Sequence, residues 1–426
     1  MRVLIVTHAE RSHFLGMVPL AWALVTAGHD VRVASQPELA PVIAAAGLPA
    51  VPVGREHSFW RVLNTFSAFD PLADRLPLFG RADRPDEEFG WEELKDGYRR
   101  VVPWWWRVLN DPMVADLTAF CLHWRPDLVI WDPTTYAAPI AARAAGAAHA
   151  RHMWGVDVLA RVRAVFLRRR DEAGGGPADD ALAGWLSRRA AAHGVEFTEE
   201  LVTGQFTVDY VPPSLRLPGG PPLTRVPMRY VPHNGRSVLP AWLREPPRRP
   251  RVCLCLGLSA AERSGGYAVS MGEVVEAVSE LDVEVVALVS PAAGERLDTV
   301  PGNVRVVPFA PLHQLLPTCA AVVDHGGSAT VLNTLAHAVP QLVVARPTFC
   351  EPVIGRRVTA AGAGLDLPSE EATGELVRDA VRRLLAEPGF AGASARVRAE
   401  MVAMPSPNAV VAELEEQVER HRAVSA

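Results

Sequence analysis

Short runs of β-branched and apolar residues alternate with longer helical stretches, and the alternation is repeated in the two halves of the chain. Parallel strands buried on both faces read as such runs, with the helices between them as crossovers. In the first half, strands are expected at residues 3–6, 31–34 and 128–131. Helices are expected from about 17 to 27, ended by Gly28, and over 137–145. Residues 7–17 read as a loop, which puts Pro19 in a helix's first turn, where proline is tolerated. The second half restarts at 252–256 and continues with strands at 283–288, 304–307, 321–324 and 341–344 and a helix over 328–338. The pattern predicts an α/β chain of two doubly wound, Rossmann-like domains. They would face each other across an interdomain cleft, with the site at the carboxyl ends of the strands.

Length agrees, since 426 residues suit two domains of about 200 each. Residues 211–250 are rich in proline and arginine and read as a linker, giving an N-terminal domain over 1–210 and a C-terminal one over 251–404. Residues 405–426, with a helix over 407–420, are expected to pack back on the N-terminal domain. Residues 53–110 look irregular and aromatic, with Trp60, Phe66, Phe69, Phe79, Phe89, Trp91 and Trp104-Trp105-Trp106. They form either the wall of an apolar pocket or core aromatics under long loops.

A net charge of -5 gives no reason to expect nucleic acid. The five cysteines, Cys121, Cys253, Cys255, Cys319 and Cys350, show no C-x-x-C spacing and read as reduced core thiols, Cys253 and Cys255 on one strand face. The first residues run directly into a strand without a signal-peptide pattern, and no apolar run reaches about 18 residues. A cytoplasmic protein is the expectation.

The strongest local signal is His325-Gly326-Gly327-Ser328-Ala329-Thr330, between a strand and a helix. Glycines let the backbone approach a ligand, and the free amides and dipole of a helix start favour an anion. This is a phosphate site, with His325 as an added donor and the hydroxyls of Ser328 and Thr330 in the first turn. The competing reading is a tight turn with Ser328 as N-cap. No G-x-G-x-x-G follows the first strand, where Thr7-His8-Ala9-Glu10-Arg11-Ser12-His13 stands, which argues against a nicotinamide enzyme.

The stretch from Val307-Pro308-Phe309-Ala310-Pro311-Leu312 through that loop to Val339-Pro340-Gln341-Leu342-Val343 resembles the nucleotide-sugar signature of the glycosyltransferase-B fold in the UDP-glycosyltransferase-like superfamily. Further segments are similar to actinomycete antibiotic glycosyltransferases of the desosaminyl and daunosaminyl type. They are Ser12-His13, Val18-Pro19-Leu20-Ala21-Trp22-Ala23-Leu24, Trp124-Arg125-Pro126-Asp127-Leu128-Val129, Trp131-Asp132-Pro133, Trp154-Gly155-Val156-Asp157 and Val231-Pro232-His233-Asn234-Gly235. The resemblance covers essentially the whole chain. It implies a thymidine diphosphate deoxysugar as co-substrate, a lipophilic polyketide or macrolide aglycone as acceptor, and no separate cofactor. In that likeness Phe309 stacks on the base, Ala310 holds it through the main chain, and Ser259 helps hold the diphosphate.

Inverting transfer needs a general base for the acceptor hydroxyl and stabilisation of the leaving diphosphate. His13 matches the family's base, and an unperturbed pKa of about 6.5 suits the task. Asp132, at the end of a strand in the same domain, is the expected partner that orients the imidazole. His8 is the alternative base. No metal is required, and no Asp-x-Asp pair stands in the expected place. At the positions where the superfamily grips sugar hydroxyls with an acidic residue and a glutamine, this chain reads Phe349-Cys350-Glu351-Pro352. Cys350 is a poor hydrogen-bond partner, so a deoxygenated donor is expected, with Glu351 facing a sugar ammonium or, alternatively, still bonding a hydroxyl.

Three other functions share parts of this pattern: carbon glycosylation of an aromatic aglycone, nucleotide-sugar 2-epimerisation, and non-catalytic nucleotide binding. The resemblance also implies a cytochrome-P450-like auxiliary activator, for which the Arg-rich residues 161–170 followed by 171–180 are a candidate surface or else a solvated helix and loop. A homodimer is the assembly to look for.

Overall fold

The computed structural model describes residues 1–59, 77–257, 267, 269–290, 300–346 and 349–425. The chain divides into two compact units. One consists of Met1–Tyr210, Leu217–Gly235 and Met404–Ala426, the other of Val211–Arg216 and Arg236–Ala403.

The first unit is built on strands β1 (Arg2–Val6), β2 (Asp30–Ser35), β3 (Ala50–Pro52), β4 (Leu128–Trp131), β5 (Ala148–His152), β6 (Phe206–Asp209) and β7 (Arg225–Pro227). They form one sheet in the spatial order three, two, one, four, five, six, seven, and every pairing is parallel. The four residues of β4, Leu-Val-Ile-Trp, are all buried, as expected of a central parallel strand covered on both faces. The direction of winding reverses between β1 and β4, so the segments leaving these two strands diverge and open a crevice at their carboxyl ends.

The second unit repeats the plan with β8 (Arg251–Cys255), β9 (Glu284–Leu288), β10 (Val304–Val307), β11 (Ala321–Asp324), β12 (Gln341–Ala345) and β13 (Gly364–Pro368). The spatial order is ten, nine, eight, eleven, twelve, thirteen, again all parallel, with the reversal between β8 and β11. Cys253 and Cys255 enter the same apolar cluster from one face of β8, while Val252 and Leu254 enter the other.

Several local expectations change. Helix α1 spans Arg11–Thr26, so residues 11–17 are helical rather than loop. Glu10 starts it early: its carboxylate accepts from both the backbone N–H and the hydroxyl of Ser12. Pro19 therefore lies inside the helix, not in its first turn. Residues 91–110 are helical too: α2 (Trp91–Val101) passes through a wide π-type turn at Val102–Trp106, next to Pro103, which has no N–H to donate. Within that run Trp106 is buried and Trp104 is exposed. Trp60, Phe66 and Phe69 lie outside the described residues. The Pro/Arg-rich stretch contributes β7 as the edge strand of the first sheet, where its prolines are tolerated.

The Arg-rich segment is helix α3 (Val158–Glu172), and it is not a free basic face. Arg163 is buried and forks onto Asp180 at 2.7 and 2.9 Å while also reaching Glu199 at 2.6 Å. Arg161, also buried, pairs with Asp86, and Arg168 pairs with the same carboxylate. In the second unit helix α4 is Met271–Ser279, and the terminal helix of the chain, Val410–Ser425, begins three residues later than expected and makes contact just ahead of β2 through Glu415, 3.2 Å from His29 Nε2.

Candidate active site

At the reversal point of the first sheet, β1 delivers His8, the first turn of α1 delivers His13, and the end of β4 delivers Asp132. His13 Nδ1 lies 2.7 Å from Asp132 Oδ2, and His8 Nδ1 lies 3.6 Å from Oδ1. Asp132 is buried and His13 is partly open, with 22% of its side chain exposed. The carboxylate is held from behind by Thr134, whose N–H donates at 2.9 Å and whose hydroxyl donates at 2.6 Å to Oδ1. Burial alone would raise the Asp132 carboxyl, but the charge and hydrogen bonds of His13, with those of His8, hold it well below the usual carboxylate range. It is therefore an anion at neutral pH and a standing acceptor for the His13 Nδ1–H. Trp154 stacks on the His13 ring at 4.9 Å and 23°, and His8 meets it edge-on at 5.1 Å, so the imidazole is restrained from two sides.

At the reversal point of the second sheet, β11 ends at Asp324 and leads through His325, Gly326 and Gly327 into helix α5 (Ser328–Ala336). Helix α6 is Glu351–Ala360. Gly326 adopts φ +86°, and a Cβ there would stand 2.9 Å from Glu351 Cβ; a Cβ on Gly327 would stand 2.6 Å from the His325 ring. Side-chain-free backbone is thus required at both positions. The N-cap is Gly327 with no side-chain cap bond, which removes the reading of Ser328 as a capping residue. The helix-start amides are left for an anion. Burial lowers His325, so its ring is neutral near pH 7 and offers one N–H.

Comparison with known proteins fits both halves. The family model for the N-terminal domain of erythromycin biosynthesis protein CIII-like proteins matches residues 22–257, and that for their C-terminal domain matches residues 272–417. The chain belongs to this CIII-like glycosyltransferase family. It is 45% identical to the 10-deoxymethynolide desosaminyltransferase of Streptomyces venezuelae, over 99% of this chain and 98% of that one. It is 42% identical to the TDP-daunosamine transferase DnrS of Streptomyces peucetius, over 99% and 97%. Among solved structures, the glycosyltransferase VinC, crystallised with dTDP, superposes with a TM-score of 0.85 at 41% identity, covering 99% of this chain and 100% of that one. The fold is glycosyltransferase-B and the chain is an enzyme of the transferase class.

Within this CIII-like enzyme the second unit gathers His325, Gly326, Ser328, Cys350 and Glu351. Ser328 Oγ lies 3.8 Å from Cys350 Sγ, and Glu351 opens α6 against Gly326. Burial raises both the Cys350 thiol and the Glu351 carboxyl. Thr330 turns its hydroxyl towards the Cys255 thiol, and Ala329 is exposed. Phe309 presents a 43% exposed ring beside the buried Ala310. Ser259 lies outside the described residues. Sequence reasoning did not find Thr134, and it met Trp154 only as part of a family-like segment, without a role beside His13. Thr134 follows Asp132 by two, the spacing of an Asx-type turn, and that signal was there to be used. Trp154 becomes a neighbour of His13 only through the sheet, and nothing local announces it.

Proposed function

We propose that this enzyme transfers a deoxysugar from a thymidine diphosphate donor to a lipophilic polyketide or macrolide aglycone, with inversion at the anomeric carbon. The observation that carries the reading is the 2.7 Å contact between His13 Nδ1 and the buried, anionic Asp132. It leaves Nε2 of the neutral ring as the base. The acceptor hydroxyl gives its proton to Nε2, its oxygen attacks the anomeric carbon, and the bond from that carbon to the diphosphate oxygen breaks. Asp132 compensates the imidazolium formed. The leaving charge is received by the amides at Gly327 and Ser328, with His325 as a further donor and no metal, while the Gly326 N–H holds the turn by donating to Asp324 Oδ1. Phe309 stacks on the base and Ala310 bonds it through the main chain. The relatives named for desosaminyl and daunosamine transfer support the class of donor.

The test is His13→Ala. Turnover should fall by roughly 10²- to 10⁴-fold with thymidine diphosphate affinity unchanged; near-normal turnover would exclude His13 as base. The reading extends to a homodimer and to a cytochrome-P450-like activator. With Arg161, Arg163 and Arg168 engaged by Asp86, Asp180 and Glu199, and Arg169 and Arg170 paired with Glu172 and Asp171, the Arg-rich helix offers the latter no free basic face, and full turnover of the purified chain alone would remove it.

A further inference from the structure

His8, His13 and Asp132 each offer a ligand atom, and these atoms lie within 4.8 Å of one another. Two imidazoles and one carboxylate, with a fourth direction open where His13 is partly exposed, form the donor set of a three-protein-ligand zinc site. Zinc bonds of about 2.0–2.2 Å in tetrahedral geometry put neighbouring donors about 3.4 Å apart. His13 lies 2.7 Å from one carboxylate oxygen and His8 3.6 Å from the other, on either side of that distance, and with all three ligand atoms within 4.8 Å of one another, side-chain adjustment closes them around one cation. The support behind the ligands is already built. Thr134 fixes the carboxylate through two hydrogen bonds, and the Thr135 hydroxyl anchors the His8 main chain by accepting its N–H at 3.0 Å.

We propose that a zinc-class divalent cation binds between His8, His13 and Asp132 and silences the enzyme. A cation on His13 Nδ1 takes the lone pair that the neutral ring presents once its hydrogen has moved to Nε2. No net proton is lost, but Nε2 now carries a hydrogen and cannot accept one from the acceptor hydroxyl. Asp132, drawn to the cation, no longer orients the imidazole. The loss of turnover rests on His13 being the base; the binding does not.

The two are therefore measured apart. Metal-free full-length enzyme titrated with Co²⁺ should take up one equivalent and show visible d–d bands without a thiolate charge-transfer band, and Zn²⁺ should displace it. Turnover should fall in step with Zn²⁺ occupancy and return with EDTA. His8→Gln and, as a second variant, Asp132→Asn should each weaken Zn²⁺ binding by roughly 10-fold or more, with melting curves confirming that they fold. Cys319→Ser should bind as the parent does. No saturable equivalent, a thiolate band lost in Cys319→Ser, or unchanged affinity in both ligand variants would overturn the site. One bound equivalent with undiminished turnover would overturn the silencing and with it the assignment of the base.

Discussion

Asp324 holds a carboxyl out of reach of water at the end of β11, with Oδ1 accepting one N–H, from Gly326 at 2.8 Å. Burial pushes its pKa from 3.8 up to about 7 against the weaker opposing effect of that bond. The sign follows from proton counting. Between 3.8 and about 7 the folded chain keeps a proton that the unfolded chain has released, so stability falls as pH rises through this window and the loss is complete above it. Asp324→Asn keeps the acceptor for Gly326 and removes the titration. Its melting temperature should gain on the parent's as pH goes from 5 to 8, and parallel profiles would disprove the assignment. At this scale the sequence yields residues whose chemistry is demanding. That Asp132 and His13 come together was legible, Asp132 from its place at the end of a strand in the same sheet and His13 from the family resemblance, and their roles as orienter and base are the proposal that His13→Ala tests. The 3.6 Å approach of His8 to the same carboxylate was not legible, because it is set by a residue distant in sequence, Thr135, whose hydroxyl accepts the His8 N–H at 3.0 Å.

The element proposed to hold the nucleotide's phosphates is the turn from β11 into α5. An anion at this helix start needs open access to its amides, and the approach is lined by glycine at both positions before the helix. Gly327→Val should therefore weaken thymidine diphosphate binding by roughly 10-fold or more, since the new side chain must displace the His325 ring, 2.6 Å from its Cβ, and crowd the amides. Isothermal titration would read this; unchanged affinity would move the phosphate site elsewhere. This turn was legible as a strand, two glycines and a helix in sequence. The start of α1 was not, because a capping Glu10 and an internal Pro19 contradict the usual signals. Strand β7 was hidden for a related reason: an edge strand of three residues ending in proline has no apolar periodicity to show.

Across the whole molecule the labour is divided between the two units. His13 and Asp132, the proposed base and its carboxylate, belong to the first, and the turn proposed to bind the diphosphate, with Cys350 and Glu351, belongs to the second. Selection of the donor sugar should then respond to changes in the second unit and leave the base untouched. Cys350 is buried against Ser328 and makes a weak partner for a hydroxyl, whereas a sugar carbon without oxygen asks nothing of it. Glu351 Oε2 has no hydrogen-bond partner among the described residues, and burial raises its carboxyl. A sugar ammonium placed there would supply the missing partner and favour the charged form. An extra hydroxyl left unpaired at such a site costs roughly 1–3 kcal/mol. Turnover on one acceptor should thus run in favour of 2,6-dideoxy and amino-dideoxy donors over thymidine-diphosphate glucose by roughly 10-fold or more in kcat/KM, about 1.4 kcal/mol. Glu351→Gln should depress the amino donor selectively and leave acceptor KM unchanged. A preference for the glucose donor would sink the proposal, and an equal loss on every donor would mean that Glu351 supports the turn beside Gly326 rather than reading the sugar.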